Sequence, residues 1–131
     1  MSATPEKILL CVSGTTPSII TETFYFVAKL RQPNFIPDRV IVITTTQGKD
    51  KIEKELFNTP RFKNMCHAND WDENCFNLQD VITVKSKMGI ELEDIRTPEH
   101  FHDFADTLMN QVKELVNPHR ARPCIIHASL A

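Results

Sequence analysis

KILLCVSGTTPSIITET, residues 7 to 23, joins a continuous apolar run to a second apolar segment through Ser13, Gly14, Thr15, Thr16 and Pro17. Lys7 to Val12 has no polar alternation, the pattern of a strand buried on both faces. Thr16 can cap a helix that starts behind it, and Pro17 suits the first helical position, where a missing N–H costs nothing. From Ser18 to Arg31 the apolar residues Ile19, Ile20, Phe24, Phe26, Val27 and Leu30 cover a wide arc, so this helix is expected to be packed rather than solvated. The prolines of QPNFIPD, residues 32 to 38, end it.

The same strand-to-helix handover recurs downstream. RVIVIT, Arg39 to Thr44, is again apolar and β-branched and empties into TTTQGKD. Asp50 to Phe57 reads as a short charged helix, whereas residues 58 to 77 have no clean period and are expected to be irregular. DVITVK, Asp80 to Lys85, gives a third strand. Thr97 and Pro98 then open the clearest helix, whose apolar positions Phe101, Phe104, Ala105, Leu108, Met109, Val112, Leu115 and Val116 are spaced three and four apart. Asn117 and Pro118 close it, and CIIHASLA forms a fourth strand from Cys124. Strands separated by helices imply right-handed crossovers, hence an α/β fold: a Rossmann-like parallel sheet with helices on both faces in one domain, residues 1 to 131. Ligands of such sheets bind beyond the carboxyl ends of the strands. That geometry gathers Ser13 to Thr16, Thr44 to Gly48, Lys85 to Gly89 and the end of the fourth strand on one rim.

Composition narrows the chemistry of the rim. The 131 residues carry 15 Lys and Arg against 17 Asp and Glu, a net charge of -2, which disfavours a surface that grips long nucleic acid through bulk positive charge. No apolar run reaches membrane-spanning length and no basic-then-apolar leader follows Met1, so a cytoplasmic protein without membrane contact is expected. Cys11, Cys66, Cys75 and Cys124 form no CxxC pair and are read as free thiols; Cys66, His67 and Cys75 match no zinc spacing, and no metal or cofactor is expected. The dinucleotide fingerprint GxGxxG, the phosphate loop ending in GK[ST] and the GxSxG nucleophile turn are all absent. What remains is a hydroxyl-rich loop at a helix N-terminus, where the amides of Ser18 and Ile19 and the hydroxyls of Ser13, Thr15 and Thr16 can face an anion. The plain reading is a well-capped turn. Period two puts His127 and Ser129 on one face of the last strand. A histidine in such a strand is more often a hydrogen-bonded core residue than a catalyst. His100 and His102 lie off the apolar stripe of their helix, and Lys85 and Lys87 could neutralise phosphate.

Taken together, ILLCVSGTTPSIITETFYFVA, RVIVITTTQG and IIHASLA resemble the CRISPR-associated Rossmann-fold (CARF) domains, in particular the small ring-nuclease-like branch of type III CRISPR systems. The resemblance runs from Lys7 to Ala131, with residues 58 to 95 contributing little. It implies a homodimer that binds cyclic oligoadenylate, the second messenger of type III antiviral defence, and relays it to an effector domain or protein. The ligand-binding residues it implies are Ser13, Gly14, Thr15, Thr16, Pro17, Thr45, Thr46, Gly48, His127 and Ser129. Ser13 stands where the family often has threonine and keeps the hydroxyl. The family pattern continues past Ala131 through two glycines, an arginine and a lysine, so the chain is expected to be the N-terminal part of a longer protein whose later elements complete the sheet, the alternative being a minimal form completed by a partner chain. The alternative activity is a metal-independent ring nuclease, in which a ribose 2′-hydroxyl attacks the neighbouring phosphate with Ser13 and Thr15 holding it and His127 carrying the proton. A third class is an interaction domain with no nucleotide role.

Overall fold

The computed structural model describes residues 4–130. Ala131, where the resemblance ends, lies outside them. The order is β1 (Glu6–Val12), α1 (Ser18–Tyr25, widening into a π-helical turn at Phe26–Leu30), β2 (Arg39–Thr44), α2 (Thr46–Ile52, continued by a π-helical turn at Glu53–Phe57), α3 (Arg61–Ala68), a 3-10 turn (Glu73–Cys75), β3 (Phe76–Thr83), α4 (Pro98–Leu115) and β4 (Cys124–Leu130). All strand pairs are parallel, in the order β3-β2-β1-β4. The chain therefore winds outward from β1 through β2 to β3 and then returns to the other side of β1. The α/β, Rossmann-like arrangement expected from the sequence is the one observed.

The two continuous apolar strands make sense because both faces are covered. Alternate residues of each strand point to opposite sides. Leu9, Cys11, Val40 and Val42 meet Ile20, Phe24 and Val27 of the first helix, together with Ile52, Phe62 and Cys66. Ile8, Leu10, Ile41 and Ile43 meet Phe104, Leu108, Val112 and Leu115 of α4. Phe24, wholly buried, packs edge-on to Phe62 at a centroid distance of 5.3 Å and against Trp71 at 5.5 Å.

Three local expectations are corrected. The charged helix expected at Asp50 begins at Thr46, because Thr45 adopts an extended conformation and its hydroxyl accepts from the Gly48 amide at 3.2 Å, a side-chain N-cap. The stretch 58 to 77 is ordered: α3 buries Phe62 and Cys66, four apart, and Trp71 donates its amide to the Cys66 carbonyl at 2.8 Å. A helix of eight residues with so narrow a buried stripe gives periodicity too little length to register. The third strand runs Phe76–Thr83 rather than Asp80 to Lys85, with a register shift between Val40 and Val42 on its partner. It is an edge strand, so Asn77 and Gln79 face solvent in alternation with buried Phe76 and half-buried Leu78 and Asp80, and the polar half hides the strand. Lys85 belongs instead to a tight turn: it bridges Glu91 antiparallel, and Gly89, at φ +80, donates to the Ser86 carbonyl. The left-handed backbone at Gly89 is one that glycine adopts without steric cost.

The apolar stripe of α4 is wider than the surface it covers. Phe104, Leu108, Val112 and Leu115 pack on the sheet, whereas Phe101, Met109 and Val116 are exposed at 68%, 52% and 59%. Cys11, Cys66, Cys75 and Cys124 are free thiols. Among the described residues no helix is long and apolar enough to cross a membrane.

Candidate ligand site at the carboxyl edge of the sheet

The rim is built by two loops locked to each other. Ser13 donates its amide to the Ile43 carbonyl at 3.0 Å, carrying the β1–β2 pairing one residue past the strand. That bond pins Ser13 inside, only 1% exposed, yet its hydroxyl has no hydrogen-bond partner. An unpaired buried hydroxyl costs about 1–3 kcal/mol, so Ser13 Oγ is an unmet hydrogen-bonding group at the end of β1. Beside it, Thr44 Oγ1 donates a long 3.4 Å bond to the Gly14 carbonyl. Gly48 packs into the same contact: a Cβ there would overlap Thr44 Oγ1 and come within 2.7 Å of the Gly14 oxygen. Glycine at 48 is thus demanded by close approach of two loops.

The N-terminus of α2 is already occupied. The Thr46 amide donates to the Leu92 carbonyl at 2.9 Å, Gln47 to Glu93 at 3.4 Å, and Gly48 to Thr45 Oγ1. The turn at Lys85–Glu91 makes this possible, since it folds the chain back so that Leu92 pairs with Val84 and its carbonyl reaches α2. Thr45 is buried at 3% and spends its hydroxyl on the cap. The anion-binding capacity of that terminus is therefore satisfied internally.

Between the loop after β1 and the start of α4 lies a cavity of about 330 Å³. Ser13, Gly14, Thr15 and Thr45 line one wall, and Asp94, Ile95, Phe101 and Phe104 line the other. No lysine or arginine contributes to it. The second wall was not legible in the sequence. Asp94 sits in an acidic stretch of ordinary appearance, and Phe101 and Phe104 read simply as core positions of an amphipathic helix. The one available signal was the capped start of α4, where Thr97 accepts from the His100 amide at 3.2 Å and fixes the turn that carries Phe101.

The other expected residues are dispersed. Thr16 is exposed, and its carbonyl rather than its hydroxyl meets the helix, accepting from Ile19 at 3.3 Å; Pro17 is buried, and Pro17, without a side-chain cap, is the N-cap. Of the two amides expected to face an anion, that of Ile19 is thus already engaged. His127 pairs with Leu9 and Ser129 with Cys11 in the β1–β4 ladder, which puts both on the face covered by α1. His127 lies three residues before Leu130, the partner of Val12, a rise of about 10 Å at strand spacing, and it does not line the cavity. Its Nδ1 stands 3.0 Å from an Arg31 guanidinium nitrogen, and its ring lies beside Phe35. Burial first, and the Arg31 charge second, hold its pKa below the ordinary imidazole value. Lys87 borders a separate depression with His100 and His102. Cys66 and Cys75 are in contact, and the hydrogen bond between them lowers the pKa of Cys66 and raises that of Cys75, while His67 turns outward to Glu73 at 3.1 Å.

A parallel sheet whose strand order reverses at β1, with a cavity outside the carboxyl ends of the strands there, defines a Rossmann-like α/β protein of the kind that places ligands at its switch point. The chain belongs to the family of CRISPR-associated protein NE0113, whose family model matches residues 16–131. The matched span starts inside the loop after β1 and includes α1 through β4. No curated protein and no solved structure matches the chain.

Proposed function

We propose that this chain is a nucleotide-sensing module of type III CRISPR defence that binds cyclic oligoadenylate at the rim of its sheet and relays the signal to an effector domain or protein. Ser13, which lines the rim cavity and whose buried hydroxyl has no partner within the chain, carries this reading. It is a polar group held in place by the β1–β2 ladder with its own hydrogen bonding left over. Membership of a CRISPR-associated family supplies the biological setting. A ring of repeated nucleotides suits a two-fold pair of such chains, since each can offer the same loop to opposite sides of the ligand.

Binding is better supported than cleavage. A ring nuclease with His127 as proton carrier needs that imidazole beside Ser13 and Thr15, and here it is bonded to Arg31 on the α1 side of the sheet. Titration calorimetry with cyclic tetra- and hexa-adenylate tests the reading. One of the rings should bind, Ser13→Ala should weaken it about three- to tenfold, the equivalent of one hydrogen bond, and the ring should come back intact. Absence of heat with both rings from the folded protein would remove cyclic oligoadenylate as the ligand. Linear products ending in a 2′,3′-cyclic phosphate would restore the nuclease.

A further inference from the structure

We propose that Cys66 and Cys75 are a thiol–disulfide pair, closed by a two-electron oxidant of the peroxide class into a bond that ties the end of α3 to the start of β3. Geometry is the first reason. Cys66 lies in the last turn of α3, and Cys75 ends the 3-10 turn that leads into Phe76. Both are buried in the core on the α1 side of the sheet, and a hydrogen bond joins their thiols there. The chain between them is a loop whose neck is already drawn together. Asn69 and Trp71 donate their amides to the Cys66 carbonyl at 3.2 and 2.8 Å, and Cys75 donates to the Asp72 carbonyl at 3.4 Å. On the outer side of the same neck, the His67 imidazole meets Glu73 at 3.1 Å. A disulfide demands that its two cysteines start close, and here the fold holds them so without any large movement of the backbone.

Contrast with the other two cysteines is the second reason. A buried thiol is ordinarily a small hydrophobe, and Cys11 is one: it sits in a central strand, and burial alone pushes its pKa up to about 12. Cys124 packs on the opposite face of the sheet and donates its thiol to the Leu115 carbonyl at 2.9 Å. Neither has a thiol beside it. Cys75 is also the more reachable from solvent, since only a short turn covers it, in which Asp72 and Asn74 are exposed. A small oxidant has that one turn to pass.

Inequality of the two thiols is the third. The hydrogen bond that Cys75 donates favours the thiolate of Cys66 and disfavours its own, so Cys66 is the attacking sulfur. That sulfur bonds to one peroxide oxygen, the O–O bond breaks, and the departing hydroxide takes up a proton as water, leaving a sulfenic acid on Cys66. The Cys75 sulfur then attacks the Cys66 sulfur: the S–S bond forms, the S–O bond breaks, and a second water leaves with the Cys75 proton. Two thiols lose two electrons, and one peroxide is reduced to two waters. The loop so closed holds part of the α1 core, because Trp71 packs 5.5 Å from Phe24 and 6.3 Å from Tyr25, and Lys29 donates to Asn69 at 2.6 Å. Oxidation therefore fixes the neck of the segment on which the first helix rests. Both thiols are free in the structure, and a pair that closes only under oxidant behaves as a sensor rather than as a permanent brace.

Treating the folded, reduced chain with hydrogen peroxide at neutral pH, then unfolding it in iodoacetamide and mapping the adducts by mass, tests the proposal. Of the four cysteines only Cys11 and Cys124 should take the label. Cleavage after Trp71 should leave the pieces that carry Cys66 and Cys75 joined until dithiothreitol parts them. The oxidised chain should melt several degrees above the reduced one, because a bond across so short a loop restricts the unfolded chain. Cys75→Ser should stop at the sulfenic acid, trapped on Cys66 by dimedone, and Cys66→Ser should keep every remaining thiol. The wild-type map decides the pairing by itself, so the proposal stays open to refutation even where a serine variant fails to fold. Label on all four cysteines after peroxide, a bond that involves Cys11 or Cys124, or a bond between Cys66 and Cys75 that forms only in urea would overturn it. So would an oxidised chain that melts at or below the reduced one.

Discussion

His127 is placed by its sequence context and by its tertiary contacts in two different settings. Its sequence context places it beside Ser129 on the last strand, and the fold gives it Arg31 as a neighbour. Burial and that guanidinium favour the neutral ring. Because its folded pKa lies below the unfolded value of about 6.5, the unfolded chain binds more protons in this window, so the contribution of His127 is present above that pH and is lost as pH falls toward the folded pKa. Urea midpoints measured from pH 7.5 to 5 should therefore fall more steeply for wild type than for His127→Gln; parallel curves would mean that neither burial nor Arg31 disfavours the protonated ring in the folded chain. Cys11 is a simpler case. Burial pushes its thiol up to about 12, so it should resist iodoacetamide in the native protein at pH 8 and react once the chain is unfolded. Gly48→Ala drives a methyl into Thr44 and the Gly14 carbonyl and should cost about 1–3 kcal/mol by thermal melting. Thr44→Ala in the same chain should recover only part of it, since the Gly14 backbone stays in the way.

At the scale of elements, local chemistry decides where helices start and tertiary contacts decide what those starts can do. Thr97 caps α4, and Thr97→Ala should lower stability by about 1 kcal/mol and also loosen the turn that presents Phe101. A melting temperature unchanged from wild type would show that packing of Phe104 and Leu108 alone fixes that end. The second handover, TTTQGKD, looks as suited to an anion as the first. It is the returning chain at Leu92 and Glu93 that closes it, through carbonyls supplied from more than forty residues away in sequence. No reading of the stretch itself could reveal that partner, because which backbone groups are left free is a property of the packed chain.

For the molecule as a whole, the sheet is a wall between two cores, and each depends on helices that arrive from different parts of the chain. Phe24→Ala, which removes the ring on which Phe62 and Trp71 converge, should cost about 3–5 kcal/mol in urea unfolding, a large share of the stability of a domain this size. The sequence by itself determined the Rossmann-like class, both central strands, the first helix and the capped last one. Their signals are periodicity, β-branched runs and caps, all of which act over a few residues. It also brought Ser13 to the rim, since strand ends in a parallel sheet must lie together. It did not show α3 or the polar half of β3, where too few buried positions follow one another. Only the tertiary structure decided the geometry of the candidate site: it buried Ser13 without a partner, filled the α2 terminus, drew His127 to Arg31 and brought Asp94 and Phe101 to the same cavity as the first loop. Those are contacts between distant segments, and their geometry follows from how the helices dock on the sheet rather than from any local pattern.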